Sequence, residues 1–278
     1  MTALASSQPG HWQAHLSLGF SGREDRTIIS HRRHQGPLVI QKPFYPEQDV
    51  CHVYLLHPPG GVVGGDQLCL DVAVDKQGHA LITTPAASKF YRSDGRRAGL
   101  RQTLQVSAGS TLEWLPQETI LFDACALDMT TRVELEANAS FIGWEIICLG
   151  RPASGETFSR GDARQSFEIW RDGQPLIIDR ARLCGGDELL SATWGLHNYS
   201  VTATLLAVNA DANMLQAVRE QAPQLDGLFS VTLIDDLLLC RVLAHQAEQA
   251  RNAFIHVWKT LRPLLNKRAA CEPRIWST

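Results

Sequence analysis

No stretch of this chain approaches the roughly 18 uninterrupted apolar residues of a membrane-spanning helix, so a helical membrane protein is excluded. The opening residues, Met-Thr-Ala-Leu-Ala-Ser-Ser-Gln, lack the basic region and apolar stretch of a secretory signal, and the expectation is a cytoplasmic chain with no membrane partner. The seven cysteines, at 51, 69, 125, 148, 184, 240 and 271, include no Cys-x-x-Cys pair. Odd in number and set in apolar sequence, they read as reduced core thiols rather than a disulfide framework or a zinc knot. A net charge of -3 gives no general reason to expect nucleic acid. The one basic run, Arg92 to Arg101, encloses Asp94-Gly95 and reads as a solvated hairpin tip rather than a phosphate site. No histidine pair has the helical spacing of a zinc peptidase, no Gly-x-Ser-x-Gly elbow surrounds Ser88, and no histidine-rich tract occurs.

What is present begins with Cys51-His-Val-Tyr-Leu-Leu-His-Pro-Pro-Gly-Gly-Val-Val-Gly-Gly-Asp66, a short apolar run that breaks into a glycine loop and ends on a carboxylate. Gly60 and Gly65 carry the spacing of a phosphate-binding loop. Asp66 and Gln67, however, stand where that loop needs Lys and a Ser or Thr. An anion there repels phosphate. Leu68 to Val74 then reads as another strand, so no helix N-terminus follows, and the loop joins two strands.

From about residue 12 to 209 short strands alternate with turn residues. Val133, Leu135 and Ala137 share one face while Arg132, Glu134 and Glu136 take the other, the period of a half-buried strand. Asp172-Gly173 between two strand runs predicts a two-residue hairpin turn. Strands at this spacing predict a mainly β fold with a large antiparallel body. Two helices are expected near the C-terminus. One begins at Asp211 as N-cap and stops by Pro223; the other buries Ala247, Ala250, Phe254, Val257 and Leu261 and ends at Pro263. No linker, repeat or low-complexity segment divides the chain, so residues 1–278 are read as a single domain.

Three carboxylates stand in apolar surroundings. Glu145 lies in Phe141-Ile-Gly-Trp-Glu-Ile-Ile-Cys-Leu149, a strand apolar on both faces; Asp179 ends Pro175-Leu-Ile-Ile; Asp66 leaves the glycine loop. A buried carboxylate needs a partner, a water-filled cavity or a passing cation. Pairing with an arginine such as Arg151 or Arg180 is the plain structural alternative.

The glycine-loop stretch also belongs to an ordered set of motifs. The set comprises Trp12-Gln-Ala14, Gly36-Pro-Leu-Val-Ile-Gln-Lys-Pro-Phe-Tyr-Pro46, Leu81-Ile-Thr-Thr-Pro-Ala-Ala-Ser-Lys-Phe-Tyr-Arg92, Leu112-Glu-Trp-Leu-Pro-Gln117, Cys148-Leu-Gly-Arg-Pro152, Gly155-Glu-Thr-Phe158 and Arg274-Ile-Trp-Ser-Thr278. In this order they resemble the urease accessory protein UreD (UreH) family. The resemblance implies a non-enzymatic maturation factor with no tightly bound cofactor, which binds UreF and through it the GTPase UreG, docks on the urease structural subunits and assists nickel insertion. It also implies an internal polar passage for transient nickel. Asp66, Glu145 and Asp179, with Ser88 as a neutral lining residue, are the residues expected to line it. Weak oxygen ligands suit a cation that must be released. A pure assembly scaffold and, remotely, a carboxylate-dependent hydrolase are the alternatives.

Overall fold

A computed structural model describes residues 12–277; the opening residues and Thr278 of the last motif lie outside the described residues. In chain order the strands begin β1 (Gln13–Gly22), β2 (Thr27–Gln35), β3 (Val39–Ile40), β4 (Cys51–Leu56), β5 (Gln67–Asp75), β6 (His79–Thr83), β7 (Ser88–Phe90) and β8 (Ala98–Val106). They continue as β9 (Thr111–Leu115), β10 (Thr119–Leu121), β11 (Ala126–Leu135), β12 (Ser140–Leu149), β13 (Asp162–Arg171) and β14 (Gln174–Cys184). The last three are β15 (Val201–Val208), β16 (Gly227–Ile234) and β17 (Leu237–Ala244). Helices α1 (Glu188–Ser191), α2 (Ala212–Glu220) and α3 (Ala247–Asn266) all lie beyond residue 187. The mainly β body and the two longer helices near the C-terminus are as the sequence predicts.

The sense of pairing within that body differs from the expectation. One sheet runs β14-β13-β11-β8-β5-β1-β2 and the other β16-β17-β15-β12-β9-β6-β4-β3, with β7 and β10 attached beside β12. The central pairs in both sheets are parallel, including β1 with β5, β5 with β8, β8 with β11, β4 with β6 and β9 with β12. Antiparallel pairing is confined to the flanks. Parallel neighbours need a long crossover, usually a helix. Here the crossover is a strand of the opposite sheet: β4 leads to β5 in the other sheet, and β6 returns beside β4. The chain therefore coils, one strand in each sheet per turn.

One end of the coil is closed by tight arches, in which Gln77, Gly109 and Asn138 adopt positive φ. At the other end the connections are long: residues 57–66, 84–97, 116–125 and 150–161. The basic run begins in one of these, which links strands of different sheets, and ends inside β8, so it is no hairpin tip. Arg97 there is paired with Asp128 and Asp162, each at 2.9 Å. The hairpin at Asp172-Gly173 forms as expected, with φ of 48° and 77°.

Two cores result. Leu16, Leu18, Phe20, Leu104, Val133 and Phe167 of the first sheet meet Val53, Ile82, Leu112 and Phe141 of the second. The outer face of the second sheet, with Trp144, Ile146 and Leu205, is covered by Phe254, Val257, Trp258 and Leu261 of α3. Asp211 caps α2 through the Met214 N–H at 2.9 Å, as its position predicts. α3 does not stop at Pro263 but runs to Asn266. A proline inside a helix costs about 3 kcal/mol or more. Tertiary bonds offset that cost here, because Arg262, fully buried, is anchored to Glu113 and Glu47 one residue before the proline.

Candidate functional site

Glu145 sits where the two sheets face each other. Its neighbours Trp144 and Ile146 point to the helix layer, so β12's alternation turns the carboxylate into the inter-sheet layer. Thr131 of β11 donates to one carboxylate oxygen, and Gln165 Nε2 of β13 donates to the other at 2.8 Å. Thr131 also reaches Gln102 of β8 at 2.7 Å. No ion pair to Glu145 is found among the described residues. Arg151 binds Glu156 instead, and Arg180 binds Glu168. Burial therefore pushes the Glu145 carboxyl up to about 7; the two hydrogen bonds oppose that rise and the charge of Asp179 adds to it.

Glu145 forms part of the wall of a cavity of about 250 Å³ that lies between the sheets and reaches the long-loop end. Leu68, Leu100, Met129 and Trp114 make its apolar walls. Its polar groups include Ser88, Gln102 and Glu145, with Ser88 exposed near the mouth and Glu145 deep within. His57 and residues 60–62 of the glycine loop form one lip, and residues 84–90 the other. His57 Nε2 and Trp114 Nε1 are buried without a hydrogen-bond partner among the described residues. Such orphans fit a cavity that admits water. Burial lowers the pKa of His57, with Asp66 working the other way.

Gly61 and Gly64 of the loop are packing residues. A Cβ on Gly61 would meet the Tyr91 ring at 2.1 Å, and Gly65 has φ of 95°. Asp66, 2% exposed, accepts from the N–H groups of Trp12 at 2.9 Å and Val63 at 3.0 Å. It thereby ties the loop to the strand before it in the sheet, and it is not among the cavity-lining residues. Asp179 is half-buried. It accepts from Arg241 Nη2 at 3.0 Å and from Thr204 Oγ1 at 3.3 Å, and Thr204 stands opposite Glu145 in the β12–β15 register. A polar line thus runs from the cavity through Glu145, Thr204 and Asp179 to the exposed Arg241 of β17, one strand in from the end of its sheet.

Of the four residues expected to line a passage, Ser88 and Glu145 share one cavity wall, Asp179 adjoins Glu145 through Thr204, and Asp66 braces the mouth from outside the wall. Gln102, Thr131 and Gln165 escaped the sequence reading. Their signal was available, since each interrupts an otherwise apolar inward face: Leu127, Met129, Val133 and Leu135 around Thr131, and Ala163, Phe167 and Ile169 around Gln165. Among the described residues no three His, Cys, Asp or Glu side chains converge as a metal-holding group. No helix among them is long and apolar enough to cross a membrane.

A second buried acid lies on the opposite face of the same sheet. Glu113 of β9 accepts from Arg262 Nε at 3.0 Å and from Trp258 Nε1 at 2.6 Å, and shares a hydrogen bond of 2.6 Å with His79. Arg262 also donates to Glu47, which is joined to His52 at 2.8 Å. The segment after α3 is fastened beside this network: Trp276 lies against Trp144 and Trp258 and donates to Thr83 Oγ1 at 3.0 Å. Glu113 falls in the Leu112-Glu-Trp-Leu-Pro-Gln117 motif, where nothing in the local sequence marks it as a buried charge.

A family model described as the UreD urease accessory protein matches residues 13–277. The chain is 47% identical to the urease accessory protein UreD of Azoarcus sp. (strain BH72), across all of this chain and 98% of that protein. It is 45% identical to the protein of the same name from Citrobacter koseri, over 96% of this chain and 92% of the other. The identity to that of Dechloromonas aromatica is 40%, over 99% of each.

Proposed function

The chain belongs to the UreD urease accessory protein family and so serves urease maturation, and we propose that it does so as a non-enzymatic scaffold with an internal route for nickel. In this reading it binds UreF, reaches the GTPase UreG through it, and docks on apo-urease in the cytoplasm. It needs no resident cofactor, and nickel is its cargo. The glycine loop supports the division of labour: Gly61 is packed against Tyr91, Gly64 against the backbone of Arg96, and Asp66 puts a carboxylate committed to two N–H groups where a nucleotide-binding loop needs a lysine.

The observation that carries the route is Glu145. A carboxyl group in a cavity between two sheets, held by Thr131 and Gln165 with no arginine or lysine bound to it among the described residues, is oriented but has no fixed counter-charge. Oxygen donors of that kind hold a divalent cation weakly enough to pass it on. Ser88 supplies a neutral hydroxyl near the mouth, Asp179 extends the line beyond Glu145, and Asp66 shapes the lip. The test is to assemble Glu145→Ala with UreF, UreG and urease, verify the composition of the complex, and measure nickel in the activated enzyme. Intact complexes with several-fold less nickel are expected. Intact complexes with normal nickel would leave a pure assembly scaffold.

A further inference from the structure

Apart from the 3-residue β7 beside β10, the two sheets end in four strands: β14 and β2 bound the first, β16 and β3 the second. A terminal strand leaves one row of N–H and C=O groups unpaired, and folded proteins guard such rows with charge, proline or brevity. β2 carries exposed His31, Arg32, Arg33 and His34. β14 carries Pro175, Arg180 and Arg182, all exposed. β3 has only 2 residues. β16 has none of these guards. Its 8 residues, Gly227-Leu-Phe-Ser-Val-Thr-Leu-Ile234, include no charge and no proline, and Leu228 and Ile234 are 53% and 46% exposed.

The order of residues in this strand indicates what would cover it. Leu228, Ser230, Thr232 and Ile234 are on the exposed face, while Phe229, Val231 and Leu233 pack toward the helix layer. If two such strands run antiparallel about Val231, Leu228 stands opposite Ile234, Phe229 opposite Leu233, Ser230 opposite Thr232, and Val231 opposite itself. Every apolar residue meets an apolar one and every hydroxyl meets a hydroxyl, the pairing that stabilises antiparallel neighbours. A slip of two residues sets Leu228 against Thr232 and loses the match. In the matched register Asp226 of one copy faces Asp236 of the second, whose charge is already held by Arg171 at 2.8 Å.

We propose that β16 is a self-association edge, through which two copies of this chain join antiparallel about a twofold axis and continue one sheet into the other. The assignment is independent of the nickel route. It is tested on the full chain by sedimentation at micromolar concentration, where the wild type should form a dimer. S230K/T232K sets lysines opposite lysines on the exposed face without touching the core, and should weaken self-association by about tenfold or more. Mixing that variant with S230E/T232E should restore a dimer of the two. Hydrogen exchange on the wild type needs no substitution: the outward amides of 227–234 should lose protection on dilution. A monomeric wild type, a lysine variant that associates as tightly as the wild type, a mixture that stays monomeric, or protection insensitive to dilution overturns the proposal. Protection gained only when a different protein is added assigns the edge to that protein and likewise overturns it.

Discussion

Glu113 and Glu145 lie on neighbouring strands of one sheet, both shut away from solvent, and their environments drive them in opposite directions. Burial raises the pKa of each. At Glu113, on the helix face, His79, Arg262 and Trp258 outweigh burial, and the carboxyl is held below its ordinary range. At Glu145, on the inter-sheet face, only Thr131 and Gln165 oppose burial, and the carboxyl rises to about 7. A buried acid is thus no sign of function by itself. The absence of a matching cation is what separates the one facing a cavity from the one fastening a helix.

The strongest way to break this comparison is Glu113→Ala. It leaves the buried Nε of Arg262 and the ring of His79 without their carboxylate, with Glu47 the one acid still holding Arg262, and should cost about 3–5 kcal/mol, seen as a collapse of the unfolding midpoint in denaturant. If the variant unfolds within about 1 kcal/mol of the wild type, the network is not what fastens α3.

The next effect sharpens the contrast through pH. Because the folded state holds the Glu145 proton more tightly than the unfolded chain, its contribution is full below the ordinary value of 4.5 and is lost as pH rises to about 7. The difference corresponds to about 3 kcal/mol. The Glu47 carboxyl has the reverse sign: burial raises it, the bonds to His52 and Arg262 outweigh that, and it falls to about 2. Its contribution is present above 4.5 and lost as pH falls through about 2. Unfolding measured from pH 4.5 to 7 should therefore lose most of its alkaline-going decline in Glu145→Gln, while the acid-side decline stays. An unchanged decline would show that another group carries it.

The smallest stability effect is expected at Asp179→Ala, since its ion pair with Arg241 is partly exposed and worth less than about 1 kcal/mol. Removing that charge should nevertheless move the Glu145 transition to lower pH, because Asp179 helps to raise it. A transition that stays put would place the two carboxylates outside each other's influence.

Local chemistry was legible in the sequence. Asp172-Gly173 forced its hairpin, Asp211 capped its helix, and Glu145 stood out because both faces of its strand were apolar. The sense of pairing was not legible, because period two reports which face a residue takes and not which sheet its strand joins. Consecutive strands here alternate between sheets, so spacing that suggests a meander produces parallel neighbours. The site was half legible for a related reason. Glu145 announced itself in an apolar run, whereas Thr131 and Gln165 gain their meaning from a strand they do not pair with. Glu113 depends on Arg262, 149 residues away in the chain. Pro263 misled because a local rule about helix ends ignores an anchor in the preceding residue.

The coil also dictates an order of assembly during synthesis. Each turn from β1 to β12 stacks on the turn before it, so a chain leaving the ribosome can add turns as they emerge, with no later residue required. The helix layer cannot keep pace. Trp144, Ile146 and the charge of Glu113 stay uncovered until α3 arrives, which begins at Ala247 whereas β12 ends at Leu149. For that interval the nascent molecule is a finished coil with one oily face, the kind of surface that ribosome-associated chaperones bind and that neighbouring polysomes can glue together.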